Sequence, residues 1–313
     1  MIKLVFTILL LITSVSLYAQ KRFIMKADSL VSAFYFNSGF DTNYVSRPEK
    51  RFMAALHPDF SSIGIMINKN DNRANFYTNL SNKSGIYATY RGYGFGYSIK
   101  PNRGRKNDKE FNFRFFCRRF GIETDFCRAN SFSAEIYNND TSVTLQRGDI
   151  DFGMKMFSIY YVFNNKKFSF PAAFDKSYTQ IHSCGSVLLG SSYTAAKMQT
   201  EKGDFNITSR SVGFGAGYGY NYVTKKRFLF HASVIPTFVL WEKNQLETSS
   251  QRHRMKYKVT DLCIWGRAAA SYNFKRIFVG TDYVLYSTIL GDYNEVSTSF
   301  VRNITRFFAG FWF

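Results

Sequence analysis

The end of the chain, "RNITRFFAGFWF" (Arg302 to Phe313), alternates with a strict period of two. Phe313, Phe311, Ala309, Phe307 and Thr305 share one parity; Trp312, Gly310, Phe308, Arg306, Ile304 and Arg302 share the other. Successive side chains of a strand point to opposite faces, so the pattern sets an apolar face against an arginine-bearing one. Both faces are sensible together in a closed barrel, with lipid outside and a polar lumen inside. The final core strand of a soluble sandwich is the competing reading.

Composition agrees with the barrel. Aromatic residues make up 19% of the 313 residues, with 34 Phe and 21 Tyr, while mean hydropathy is −0.22. After residue 19 no run approaches the roughly 20 apolar residues of a membrane-spanning helix. Apolar residues placed at every second position reconcile the two facts, as in transmembrane barrels. Residues 1–19 carry Lys3, an apolar run from Leu4 to Ile12 broken by Thr7, and a small residue at Ala19. That order predicts a cleaved signal peptide and export. The net charge of +19 would suggest nucleic acid in a cytosolic protein. In an exported chain the expected counter-charge is instead anionic outer-membrane lipid and lipopolysaccharide, with no nucleic acid.

Short polar turns alternate with longer polar segments. The turns are Asn164 to Lys167, Thr224 to Arg227 and Asn273 to Arg276, with tight reversals at Arg91-Gly92-Tyr93 and around Phe120-Gly121. The long segments are Lys100 to Glu110, Asn130 to Asp149, Lys197 to Thr208, Glu242 to Lys256 and Leu290 to Ser297. This is the grammar of short periplasmic turns and long outer loops. It predicts an all-β, transmembrane, antiparallel up-and-down barrel over residues 51–313, with about 12 strands (10 to 14 are compatible). Both termini then lie on the periplasmic side, in the outer membrane, and residues 20–50 form a periplasmic N-terminal segment. Within it Asp28 to Phe36 reads as a short helix. Lys166 to Gln180 interrupts the alternation at Pro171, which cannot donate to a ladder. It is expected to be an elaborated connection or an inward fold.

Several blocks resemble a family of Bacteroidota outer-membrane proteins known only as a domain of unknown function. They are "FDTNYVSRPEKRFMAAL" (Phe40 to Leu56), "GIYATYRGYGFGYSI" (Gly85 to Ile99), "FRFFCRRFGIETDF" (Phe113 to Phe126), "YYVFNNKKFSFPAAF" (Tyr160 to Phe174) and "QIHSCGSVLLGSSY" (Gln180 to Tyr193). The resemblance implies an outer-membrane barrel and supplies no catalytic residues. The terminal Phe307, Phe311 and Phe313 resemble the signal read by the outer-membrane assembly machinery.

For chemistry, the candidate lumen residues are charged and of both signs: Arg114, Arg118, Glu123, Asp125, Lys155, Asp261, Arg267, Asp282, Arg302 and Arg306. Arg118 and Glu123 are expected to pair across the reversal at Phe120-Gly121. A twelve-stranded barrel is roughly 24 Å across, too wide for side chains alone to fill. These charges therefore form a salt-bridged interior or line a wet pore, and the occluded interior is preferred because Phe116, Trp265 and Tyr286 share their face. His182, Ser183 and Cys184 raise the possibility of an outer-membrane lipid hydrolase. His182 and Ser183 point to opposite faces of a strand, and residues two apart stand roughly 7 Å apart, beyond direct proton transfer. The four histidines, His57, His182, His231 and His253, show no metal-binding spacing. No catalytic residue, metal or cofactor is assigned. Cys117 takes the lipid-facing parity and Cys127 the lumen parity, so no disulfide joins them. The basic runs Arg103 to Lys106 and Arg252 to Lys258 read as solvated loops or as contacts to lipopolysaccharide phosphates. The sequence supports a non-enzymatic scaffold or passive channel, against a lipid-modifying enzyme or an adhesin using the outer loops. Oligomeric state is not legible.

Overall fold

A computed structural model describes residues 39–47, 50, 52–69, 72–78, 80–90, 93–100, 108–130, 132–138, 141–145, 149–200, 205–225, 227–248, 252–255, 262–293 and 296–313. Residues 40–313 form one compact unit. Twelve strands close into a ring: β1 Phe52–Lys69, β2 Ser81–Tyr90, β3 Tyr93–Lys100, β4 Asp108–Phe116, β5 Phe120–Ala129 and β6 Ile150–Val162 in the first half. The second half contains β7 Cys184–Thr200, β8 Phe205–Val223, β9 Phe228–Thr248, β10 Leu262–Phe274, β11 Ile277–Tyr293 and β12 Val296–Trp312. Each strand pairs antiparallel with its chain neighbours, and β12 returns to β1, with Arg306 opposite Asp59 and Trp312 opposite Met53. The final residue completes the seam: Phe313 N–H donates to Phe52 O at 2.9 Å and Phe52 N–H donates back to Phe313 O at 3.2 Å. Among the described residues the twelve-strand ring closes on itself, and closure is what lets a barrel satisfy its backbone in lipid.

Alternation places the two faces as the C-terminal pattern requires. On β12, Arg302, Ile304, Arg306 and Trp312 are buried, while Phe307, Ala309, Phe311 and Phe313 are exposed. The exposed face elsewhere is equally apolar, for example Phe95, Phe157, Phe214, Tyr218 and Phe238. We call the end where β12 finishes proximal and the opposite end distal. The proximal connections Thr224–Arg227 and Lys275–Arg276 are short; Arg227 and Lys275 take the left-handed conformation that such tight turns demand (φ 66° and 49°).

The strands run further distally than apolar alternation indicates. Much of the segments read as long loops is strand: β7 continues to Thr200, β9 to Thr248, and β11 and β12 extend to residues 293 and 296. Asn130 to Asp149 contains a hairpin, Phe132–Asn138 with Thr141–Leu145, whose first strand pairs with Asn72–Thr78. That last strand and β2 are separate elements. Thr78 and Ser81 are both buried although three residues apart, so the alternation breaks between them. Asn72–Thr78 pairs with the distal half of β1 and β2 with its proximal half. The Thr78 hydroxyl meets the ladder at the break, accepting from Ile63 N–H at 2.8 Å.

Two further readings are corrected. The β4–β5 reversal falls at Cys117-Arg118-Arg119, not at Phe120-Gly121, because Phe116 already pairs with Gly121. Cys117 therefore leaves the lipid face; it is buried in the turn, its thiol 3.2 Å from Phe120 O. The expected helix at Asp28 to Phe36 and residues 1–19 lie outside the described residues.

Candidate functional site

The lumen is filled in three tiers. At the proximal end the β6–β7 connection, residues 163–183, folds inward as a plug. Pro171 starts one turn of helix, α1 (Pro171–Phe174), where a proline's missing N–H and fixed φ are tolerated. Ser169 Oγ accepts from Ala172 N–H at 3.3 Å, and Ala172 and Ala173 have no exposed surface, their small side chains allowing close packing. Phe170 anchors the turn among aromatic rings, with centroids 4.5 Å from Tyr160, 5.0 Å from Phe174 and 5.2 Å from His231. The plug is tied to widely separated parts of the wall. Asn221 Nδ2 on β8 donates to Ser169 O at 2.8 Å, and Trp312 Nε1 on β12 donates to Lys176 O at 3.1 Å. Outside the ring, Val45–Ser46 pairs with Thr179–Gln180 and backs the plug.

Lys176 ends α1 in the left-handed conformation (φ 58°), a position glycine usually fills and which costs a lysine roughly 1–2 kcal/mol. Its ammonium has three acceptors: Ser271 Oγ at 2.6 Å, Ala173 O at 3.0 Å and Ala172 O at 3.2 Å. Burial nonetheless drives its pKa down to about 7, opposed by Asp282 and Asp175. Burial likewise pushes the Asp175 carboxyl up to about 7. One Asp175 oxygen accepts from Ser177 N–H and Oγ–H at 2.8 and 2.6 Å; the other has no hydrogen-bond partner among the described residues.

Above the plug lies a belt of charge. Glu110 is the hub: Lys83 Nζ approaches it at 2.7 Å, and Arg302 and Arg306 each at 3.1 Å. Arg306 also meets Asp282 at 3.2 Å and Asp59 at 3.8 Å. Asp59 in turn holds His57 Nδ1 and Ser98 Oγ, both at 2.5 Å. On the other side Glu123 receives both guanidinium nitrogens of Arg267 and lies 3.9 Å from Arg114 Nε. Asp125 is 4.0 Å from Arg302. Lys83, Arg114, Arg267, Arg302 and Arg306 thus face Asp59, Glu110, Glu123, Asp125 and Asp282, with formal charges cancelling. Charges buried in low dielectric persist when paired in this manner. Between belt and plug a cavity of about 30 Å³ is bordered by His57, Tyr87, Asn112, Lys176 and Arg306, room for a water molecule or two.

The distal tier is apolar. The Phe132–Asn138 strand lays Phe132 and Ala134 against Ile150, Phe152 and Met154. Beside this cluster is a cavity of about 110 Å³ bordered by Ile65, Met198, Tyr286 and Phe300, with Glu242 and Asn244 among its polar neighbours.

Of the residues assigned to the lumen, the structure brings Arg114, Glu123, Asp125, Arg267, Asp282, Arg302 and Arg306 into the belt. Arg118 sits in the β4–β5 turn, and its place beside Glu123 is taken by Arg114, which lies directly opposite in the ladder. Lys155 is exposed on the outer face with Phe157 and Ile159. Asp261 lies outside the described residues. Glu110, Asp59 and Lys83 were missed. Lys83 alternates with Gly85, Tyr87 and Thr89, so parity alone marks it as inward; Glu110 is hidden at the end of a polar run.

The hydrolase constellation does not assemble. His182 is exposed, with Nδ1 2.5 Å from Asn43 O, while Ser183 Oγ accepts from Val223 N–H at 2.9 Å. His57 and Ser98 bond opposite oxygens of Asp59 rather than each other, so no hydroxyl is activated by an imidazole there.

A family model described as "Domain of unknown function (DUF4421)" matches residues 40–313. The chain belongs to this family. No curated protein matches the sequence. Among solved structures it is similar to the outer membrane protease OmpT of Escherichia coli, at 10% identity over 87% of this chain and all of that one, with a TM-score of 0.42. The translocator domain of the autotransporter NalP from Neisseria meningitidis gives 11% identity over 92% and 96% of the two chains, TM-score 0.36. An outer membrane channel from Pseudomonas putida F1 gives 12% identity over 87% and 99%, TM-score 0.37.

Proposed function

We propose that this DUF4421 protein is a sealed barrel of the outer membrane of a Bacteroidota cell, serving the envelope as a non-enzymatic scaffold rather than as an open pore. The observation that carries the reading is the plug. Residues 168–176 are all buried inside the ring, directly beneath a belt in which each cation faces a carboxylate. A path for polar solutes would have to displace both. The apolar outer face and the signal-like residues 1–19 support the address, and short proximal turns support periplasmic termini. Phe307, Phe311 and Phe313 would then face the assembly machinery. The adhesin reading has less support, since much of its expected loop length is strand.

Conductance in planar bilayers tests this directly. The purified protein should add no steady current to the lipid baseline, whereas an ohmic single-channel step would overturn the sealed reading. Unchanged lipid profiles in a His182→Ala strain are expected as well; a lost lipid species would reinstate the enzyme.

A further inference from the structure

The outward-facing side chains at the distal ends of β4 to β8 form a lattice. One row reads Lys109, Arg128, Gly153, Lys197 and Thr208, each residue opposite the next in the ladder. The row proximal to it reads Phe111, Phe126, Lys155, Ala195 and Arg210. In each row a small residue separates two cations: Gly153 lies between Arg128 and Lys197, and Ala195 between Lys155 and Arg210. With strands about 4.8 Å apart, the backbones bearing each cation pair stand roughly 10 Å apart. Two long basic side chains leaning inward across that gap can share one phosphate between them.

The floor of the first bay is open, since a Cβ built on Gly153 would meet no atom within 4 Å. These residues border a surface concavity of about 650 Å³. All five cations are exposed. Asp151 is 3.4 Å from Arg128, but Lys109, Lys155, Lys197 and Arg210 meet no carboxylate among the described residues. Like charges directly opposite on paired strands, as at Lys109 and Arg128, destabilise a sheet, so a counter-anion here would relieve repulsion as well as gain contacts. The next row, Phe113, Thr124, Phe157, Tyr193 and Val212, carries no charge and is apolar but for Thr124, with Phe157 and Tyr193 exposed. Cations therefore begin where the apolar face of these strands stops, the level at which a lipid carries its phosphate.

We propose that this face binds a phosphorylated membrane lipid, one phosphate over Gly153 between Arg128 and Lys197 and a second over Ala195 between Lys155 and Arg210, with acyl chains on Phe157 and Tyr193. Arginine and lysine together suit this chemistry, the guanidinium by bidentate bonds and the ammonium as a point charge.

The test uses full-length protein in detergent micelles, stripped of lipid and then offered diphosphorylated lipid A or the same lipid enzymatically dephosphorylated. Bound lipid is counted by native mass spectrometry. The diphosphorylated form should be retained preferentially, and inorganic phosphate at millimolar concentration should fail to displace it. Lys155→Glu with Arg210→Glu should weaken retention by at least roughly tenfold, the scale of one charge-assisted hydrogen bond. Gly153→Leu fills the other bay without altering charge and should weaken it too. All these positions face outward, so a heat-dependent shift in gel mobility should report a folded barrel in every variant. Equal retention of the two lipids, unchanged retention in both folded variants, or displacement by inorganic phosphate, which marks a free-anion site, would each overturn the proposal. None of these outcomes bears on conductance, so this proposal and the sealed-barrel reading fail separately.

Discussion

Arg267 on β10 reaches across the lumen to Glu123 on β5, 144 residues earlier, and engages both carboxylate oxygens. Five ring positions separate the two strands, so this is a bond across the barrel rather than along its wall. Breaking a buried pair by removing one partner leaves an uncompensated charge and costs roughly 3–5 kcal/mol. Arg267→Ala or Glu123→Ala is expected to destabilise by that amount in equilibrium unfolding in detergent. The double change to leucine should cost much less than the two single losses summed; strict additivity would show that the pair acts independently.

Phe170 is the plug's aromatic anchor, in tilted contact with Tyr160 and Phe174 and edge-on to His231, with the Arg267 guanidinium 5.5 Å above its ring. Phe170→Ala empties that space and should cost roughly 3–5 kcal/mol, as for other buried phenylalanines. It should also expose Ala269, buried on the lumen face of β10. In a background lacking the native cysteines, Ala269→Cys is expected to react with a charged maleimide faster once Phe170 is removed. Equal rates would mean that the plug does not shield the lumen.

Asp175 and Lys176 give the plug's hold on the barrel two opposite pH slopes. The Asp175 pKa rises from its ordinary 3.8 to about 7. Between those values the folded chain keeps a proton that the unfolded chain has released, so stability falls as pH rises. The Lys176 pKa drops from 10.5 to about 7. Between those values the unfolded chain holds the extra proton, so stability rises with pH. The two limbs meet in a minimum near neutrality. Asp175→Asn should flatten the acid limb and Lys176→Met the alkaline limb, read from unfolding midpoints between pH 4 and 10. Wild-type midpoints independent of pH would contradict both assignments.

Deleting Phe313 removes the reciprocal hydrogen bonds to Phe52 and the ring stack at 5.7 Å between these residues. The expected outcome is a sharp fall in the heat-modifiable, folded species in the outer membrane, measured by semi-native gel. Wild-type levels would show that the terminal residue is dispensable for closure.

Strand number, order and inner face were legible wherever lipid on one side forces strict alternation, as in Tyr93 to Ile99 or Thr305 to Phe313. Legibility ended where that pressure ends. Beyond the apolar belt both faces of a strand can be polar, so the distal halves of β7, β9 and β11 carry no alternating signal and read as loops. Lys155 was assigned inward on its charge, yet above the belt a charge is equally at home outside. The belt's hub Glu110 was obscured for the same reason, since it lies near the start of β4 at the end of a polar run. The Arg267 partner could not be read at all, because parity says which face a residue occupies and nothing about which far strand it meets across the lumen. Pro171 did mark the plug, by breaking a rule that the rest of the chain obeys.

The plug leaves the wall between β6 and β7, with six strands before it and six after it, and Trp312 on the last strand closes over Lys176 O. Its root and that contact lie at opposite points of the circumference, since the seam between β12 and β1 is half a turn away. It is therefore a brace across a diameter. Lateral pressure that would flatten the ring into an ellipse along this axis must compress close-packed aromatic rings and alanines, which have little room to yield. The seam between β12 and β1 is thereby held from within as well as by its own ladder.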